Sequence, residues 1–394
     1  MIARRTRFRK HPVLWLGALL VAGLAACAPV GPAGGPAPGP ASGASVPVAL
    51  LVPGGAGDDG NRVLARSLEN AARMAAGDLS GAEIDLRVYD TAADAGRAGE
   101  VARQAVDEGA RVILGPVYSR SAVAAAEAVA GRGVNVLSFS NDTTIAGENL
   151  FVMGRTFANV ARRLAGFAAG QGIDRVAIVP DPTDSGRLGA EAIRQAVSET
   201  GGDVVAASSY TFSQQGVVEA APRIAEAVRS ADAQALFLTA DSAGALPLLA
   251  QLLPENGVAP EDVQYIGLAR WDVPASTLAL AGLQGGWFAL PDPDLTARFR
   301  ARYEGRFGAP PHPIAALAYD GVAAIGALAA SQGAGAAASR AGLTQPSGFA
   351  GAAGVFRLRP DGTNRRALAV AEVQDGAAVV ISPAPRGFGG SAGF

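Results

Sequence analysis

The sequence predicts an α/β fold made of two similar parallel-sheet units, and three observations carry the prediction. From residue 46 onward, short apolar runs alternate with amphipathic helical stretches, the rhythm of right-handed strand–helix–strand crossovers. That rhythm starts again after Phe151-Val152-Met153, so a second unit follows the first. The tail differs in kind: the apolar runs 355–358, 368–373 and 378–381 are separated by Pro360-Asp361-Gly362 and Asp375-Gly376, which read as short antiparallel strands joined by turns.

In chain order, Arg4, Arg5, Arg7, Arg9 and Lys10 precede the apolar run 13–26 and then Cys27. A charged stretch, an apolar stretch and a processing site describe a secretory signal, and the run is shorter than the ~20 residues a membrane-spanning helix needs. Leu24-Ala25-Ala26-Cys27 resembles the bacterial lipobox. The resemblance implies cleavage before Cys27, lipidation of its thiol and amine, and attachment of an exported domain to a membrane surface by lipid alone. Ala28 in the next position implies the outer membrane, on its periplasmic leaflet. Residues 28–45 contain only Ala, Val, Gly, Pro and Ser, a composition that cannot bury a core and should form a disordered tether.

The first unit then reads as strand 48–52, helix 61–76, strand 84–89, helix 95–108, strand 111–114, helix 122–130 and strand 134–137. Strand 111–114 is stopped by Gly115-Pro116 and strand 134–137 by Ser138-Phe139-Ser140-Asn141, so both read as buried parallel strands with adjacent carboxyl ends. The second unit reads as helix 158–171, strand 176–179, helix 189–199, strand 204–210, helix 217–229, strand 235–239, helix 243–253 and strand 263–268. A strand at 285–289, helices 295–307 and 314–330, and a Gly/Ala loop at 333–338 follow.

Residue inventory excludes whole classes of chemistry. Lys10 is the only lysine and Cys27 the only cysteine, and once the signal leaves, His312 is the only histidine. Schiff-base and P-loop lysines, cysteine nucleophiles and multi-histidine metal sites are therefore ruled out. With an acidic balance after loss of the signal, nucleic acid is not an expected partner. Gly55-Ala56-Gly57-Asp58-Asp59-Gly60 formally matches a dinucleotide fingerprint, but two carboxylates stand where a pyrophosphate would sit. His312 lies among Pro310, Pro311 and Pro313 with no nucleophile elbow in the sequence, and reads as a turn residue. No paired acids stand out for glycoside hydrolysis. The expectation is a protein that is not an enzyme and carries no metal or cofactor.

Ligands of open α/β sheets sit outside strand carboxyl ends, where helix N-termini offer free N–H groups. Residues 111–144 hold two such ends with hydroxyl-rich turns, which nominates Ser119, Ser121, Ser138, Ser140 and Asn141. A serine at 119 or 121 commonly caps its own helix, and a ligand contact is the alternative. The equivalent ends of the second unit nominate Asp184, Ser185, Asp241, Arg270 and Trp271. Trp287 reads as core, and Trp271 as either core or cleft lining.

These stretches, together with RVAIVPDPTDSGRLGAEAI and IAALAYDGVAAIGAL, resemble type I periplasmic binding proteins of the leucine-binding group. The resemblance implies two lobes hinged by three crossovers at 153–157, 285–291 and 348–355, with a small polar ligand caught between them. It divides the chain into signal 1–26, lipidated Cys27 and tether 27–45, lobe 1 at 46–155 plus 286–347, and lobe 2 at 156–285 plus 348–385. Ser119 falls where amino-acid receptors bind the ligand carboxylate, with Ser138, Ser140 and Asn141 in the loop completing that site. The family's acid for the ligand ammonium falls near Ala269-Arg270, where an arginine would repel an ammonium. The lipobox, the tether and the stretches 269–274, 283–293 and 299–307 are similar to penicillin-binding-protein activators. That branch implies a periplasmic regulator whose partner is a bifunctional peptidoglycan synthase. The alternative is a substrate-binding lipoprotein serving an ABC permease for amino acids or another small polar solute.

Overall fold

The computed structural model describes residues 45–388. The expected signal segment, Cys27 and nearly all of the tether lie outside the described residues. Ser45, assigned to the tether, instead opens the first strand and pairs with Glu83.

Strands β1 (Ser45–Val52), β2 (Glu83–Asp90), β3 (Val112–Leu114), β4 (Asn135–Ser138) and β5 (Leu150–Val152) form one all-parallel sheet in the order β2-β1-β3-β4-β5. Successive side chains of a strand face opposite sides, so β1 serves two cores. Val48 and Leu50 pack with Leu68 of α1 (Asp59–Asp78) and Val322 and Ile325 of a later helix. Ala49 and Leu51 pack with Val101 of α2 (Ala95–Asp107) and Ala125 of α3 (Ser119–Ala128). Both faces being covered explains why β3 and residues 48–52 of β1 are continuous apolar runs rather than alternating ones.

After β5 the chain crosses through residues 153–156 into α4 (Phe157–Gly170) and builds the second unit. It contains β6 (Arg175–Val179), α5 (Asp184–Glu199), β7 (Asp203–Ala207), α6 (Gln214–Ser230), β8 (Ala235–Leu238), α7 (Leu246–Glu255), β9 (Gln264–Gly267) and β10 (Trp287–Leu290). The chain then returns to the first unit with α8 (Pro293–Phe307) and α9 (Ala315–Gln332), whose Phe299, Tyr303 and Val322 join the core of β1. The stretch expected as a Gly/Ala loop forms α10 (Ala334–Ala338), followed by α11 (Arg340–Leu343). A small antiparallel sheet of β11 (Phe349–Gly351), β12 (Gly354–Leu358) and β13 (Asn364–Arg366) follows. Finally β14 (Ala369–Gln374) and β15 (Ala377–Ser382) join the second sheet on its β10 side, giving β15-β14-β10-β9-β8-β6-β7.

Two lobe boundaries differ from the sequence reading. β10 pairs with β9 and β14 in the second sheet, and Gly285 already donates its N–H to Val373. The second crossover therefore lies at residues 291–292, at the far end of the expected 285–291, and the lobe boundary is not at 285. Phe349, Phe356 and Leu358 bury against the first lobe's core, so the chain does not leave that lobe at 348 but after β13. Both errors have one cause: a strand's sheet membership depends on its pairing partner, which a local apolar pattern does not name.

The three crossovers are bolted together. Asn364 donates to the carbonyls of Val152 (2.7 Å) and Gly154 (2.8 Å) and accepts from Asn159 (2.7 Å). Asp292 N–H donates to Ala353, bringing the second crossover to the small sheet. Beside them, Asp320 of α9 takes Arg366 (2.8 Å) and the N–H of Ala352 (2.7 Å), with side-chain exposures of 10% for Arg366 and 0% for Asp320.

Candidate functional site

Of the hydroxyls nominated in the first lobe, Ser121, Ser138 and Ser140 are buried and only Ser119 is partly exposed. Ser138 is fully buried and donates to the Pro116 carbonyl (2.8 Å) while accepting from Ser140 N–H (3.1 Å), so it fixes the loop and faces no ligand. Ser121 is buried within α3. Ser119 does not cap α3: the N-cap is Tyr118 and makes no side-chain cap bond. The Ser119 hydroxyl lies instead 3.0 Å from that of Ser140, which is itself buried and accepts from Asp142 N–H (3.1 Å), and Asn141 beside it is exposed. An uncapped helix N-terminus with two hydroxyls is the arrangement that solvates a polar or anionic group.

A carboxylate missed from sequence shares this corner. Asp142 accepts from Thr144 N–H (3.0 Å) and Thr144 Oγ1 (2.6 Å). Against the opposing effect of its burial, bonds from Thr144 and Ser119 hold its carboxyl below the usual range.

On the second lobe, Asp184 and Ser185 occupy the exposed first turn of α5, where Asp184 pairs with Arg187 and Thr183 supplies the cap. Asp241 is exposed and caps the turn before α7 by accepting from Ala243 (3.1 Å) and Gly244 (2.8 Å). Both positions follow strand carboxyl ends as expected. Among the described residues no hydrogen bond or ion pair links them to Ser119, Ser140 or Asn141. Residues near Asp241 instead line a groove of about 940 Å³ with Tyr210, Phe212, Leu248 and Leu280. Tyr210 donates to the buried Asp181 (2.6 Å), and burial and that bond push its phenol well above the ordinary value.

Trp271 is not a cleft residue. It is 0% exposed, stacks near Phe288 at 6.0 Å between ring centroids, and fills space left by Gly267 and Gly286. A Cβ on Gly267 would lie 2.3 Å from its ring, so the two glycines are what let the indole into the core. Trp287 is core as expected, edge-on to Phe167 with its N–H on Glu372 (3.0 Å).

Arg270 is present at the predicted place, but its charge is matched. Its guanidinium forks onto Asp272, with side chains 26% and 18% exposed. The unmatched cation is Arg155, in the first crossover. Among the described residues it has no hydrogen bond or ion pair. Burial, then the neighbouring Arg270, pushes it down to about 10, with Asp272 opposing and Arg366 adding to the effect. Arg366 reaches Met153 O (2.8 Å) and Asp320, while its Nη2 is buried without a partner. The hinge thus gathers Arg155, Arg270 and Arg366 against Asp272 and Asp320, leaving one positive charge over.

Backbone contacts tie this cluster to the hydroxyl corner. Met153 N–H donates to Ser138 O (2.8 Å) and Gly154 N–H to Ser140 O (2.9 Å). A Cβ on Gly154 would lie 2.5 Å from Ser140 O, so Arg155 leaves the crossover directly beside the Ser140-Asn141 loop. The available sequence signal was an arginine inside a segment already assigned as a crossover.

The remaining motifs are structural. Asp58 caps α1 through Asn61 N–H (2.8 Å), putting a carboxylate at the helix end a pyrophosphate would need. His312 donates its N–H to Ser67 (2.7 Å) and accepts from Ile314 at Nδ1 (3.4 Å), holding the turn before α9.

Comparison with known proteins agrees with this architecture. A family model described as a periplasmic binding protein matches residues 46–378. Among curated protein sequences there is no match. A putative branched-chain amino acid ABC transporter protein from Rhodospirillum rubrum is similar with a TM-score of 0.69 and 22% identity, covering 86% of this chain and 99% of that one. A periplasmic ligand-binding protein of a branched-chain amino acid ABC transporter from Burkholderia xenovorans gives 0.67 and 18%, covering 86% and 96%. A solute-binding protein from Rhodopseudomonas palustris, solved with 3,4-dihydroxybenzoic acid, gives 0.55 and 20%, covering 86% and 96%. At such identities the likeness speaks for the fold.

Proposed function

Because the chain belongs to the periplasmic binding proteins, of the leucine-binding-protein type, we propose that it is the solute receptor of an ABC transporter, anchored through Cys27. It binds a small solute between its lobes and converts nothing. The observation that carries this reading is the uncapped N-terminus of α3, where Ser119 meets Ser140 at the mouth of the first crossover. A half-buried Ser119 hydroxyl left free of capping duty and adjoining a hinge is what a closing receptor needs: the ligand bridges lobes, and closure follows from its contacts with both. The solved proteins of this fold named above carry transporter roles, which supports the receptor over the synthase-regulator reading drawn from sequence. Carboxylate ligands recur among such proteins, leucine in one from Desulfitobacterium hafniense and benzoate in one from R. palustris.

The test pairs two assays on the full-length protein. Thermal denaturation is measured against amino acids, aromatic and aliphatic acids and muropeptides, and glycan polymerisation is measured with bifunctional synthases. A solute present at about 100 times its dissociation constant adds ~2.7 kcal/mol of stability, and one solute class is expected to do so. Stimulation of a synthase with no solute-dependent stabilisation overturns the proposal.

A further inference from the structure

The hinge carries a charge that the fold does not use. Arg155 is partly buried, bonded to nothing among the described residues, and placed next to two further guanidinium groups. A cation in such surroundings costs stability unless something compensates it. The carboxylate that acts on Arg155, Asp272, receives the fork of Arg270, and Asp320, the partner of the neighbouring Arg366, also receives a backbone N–H. Across the crossover, Asp142 is held by Thr144 and Ser119. The protein thus presents one planar, bidentate donor lacking its acceptor, beside an uncapped helix end and two hydroxyls.

We infer that the solute is a small organic carboxylate without an ammonium group, and that Arg155 forms the ion pair with its carboxylate. This rests on the receptor reading and narrows it. A guanidinium matches a carboxylate with two parallel N–H···O bonds, and a ligand supplying that acceptor would neutralise the residual charge of the hinge. An ammonium would meet Arg155 and the Arg270–Asp272 pair, and the one carboxylate of this corner without a cationic partner, Asp142, is turned onto Thr144 and Ser119. Because Arg155 lies in a crossover, ligand pairing also acts on the segment that must bend for the lobes to close. Arg270 is then a positioning residue: it keeps Asp272 occupied and so keeps that acid from quenching Arg155.

Isothermal titration on the full-length protein uses butyrate and benzoate, their neutral amides, and leucine and phenylalanine as zwitterions. At least one acid is expected to bind, its amide at least about 10-fold more weakly, since one charge-assisted pair is lost. Arg155→Gln should weaken acid binding by about 30-fold or more, and Arg155→Lys by less. The melting temperature of each variant without ligand establishes that it folds. Equal binding of acid and amide, unchanged acid affinity in Arg155→Gln, or tight binding of leucine indifferent to Arg155 each overturns the inference and leaves the receptor standing. Failure of every compound, amino acids included, to bind overturns both.

Discussion

Arg155 and Asp320 show two opposite fates of a buried charge. For Arg155 the folded-state value is lowered from the ordinary arginine value to about 10, so the folded protein binds the proton less tightly than the unfolded chain. Stability contributed through this group therefore rises with pH between those values, and the charge is a cost throughout the neutral range. Arg155→Gln, measured by chemical denaturation without ligand at neutral pH, is expected to stabilise the protein by ~1 kcal/mol, the sign expected where a functional site holds strain. Asp320 is the reverse case. Asp320→Ala leaves the Arg366 guanidinium buried beside no carboxylate, and a loss of ~3–5 kcal/mol is expected. Replacing Arg366 as well, by methionine, should recover much of that loss. A double variant as unstable as the single one would mean that Asp320 acts through Ala352 N–H rather than through the ion pair.

At the scale of elements, the N-terminus of α3 and the first crossover act as one piece. Ser119→Ala removes the Ser140 contact without removing a cap, because α3 has no side-chain cap. Its unfolding free energy should change by less than ~1 kcal/mol, while solute affinity falls; a large stability loss with unchanged affinity would make Ser119 a framework residue. Gly154→Ala presses a methyl group onto the Ser140 carbonyl at 2.5 Å. Neither atom is a flexible side-chain end, so the crossover must shift and ~1–3 kcal/mol should be lost. The tail explains why element prediction succeeded locally and failed in assembly. The apolar runs at 355–358 and 368–373 are strands as read, yet the first packs on one lobe and the second on the other. Their alternation is equally compatible with either sheet; the pairing of Ala369–Gln374 with Trp287–Leu290 decides it.

For the whole molecule the decisive observable is closure. Small-angle scattering of the full-length protein should show a smaller radius of gyration when saturating carboxylate is added, and no change for Arg155→Gln under the same conditions. Binding with no change in radius would place the ligand somewhere other than between the lobes, and the groove of about 940 Å³ beside Tyr210 and Phe212 would be the next place to look. Mass spectrometry of the mature N-terminus checks the anchor, with lipidated Cys27 as the expected first residue.

The sequence by itself determined what depends on periodicity, composition and chain neighbours. The strand–helix rhythm named the α/β class and the restart after Met153, because side-chain period separates strand from helix within one segment. The inventory of one late histidine and no late lysine argued against chemistries that need those residues, and strand carboxyl ends nominated Ser119, Ser140, Asp184 and Asp241. Only the tertiary structure decided how these groups are spent. Burial turned Ser138 and Trp271 into framework, Asp272 silenced Arg270 two residues away, and the folding of three crossovers onto one another left Arg155 as a partly buried cation without a partner among the described residues. Charge compensation is a property of three-dimensional neighbours: whether an arginine is matched depends on carboxylates from other segments, and no local pattern along the chain records which of them arrive.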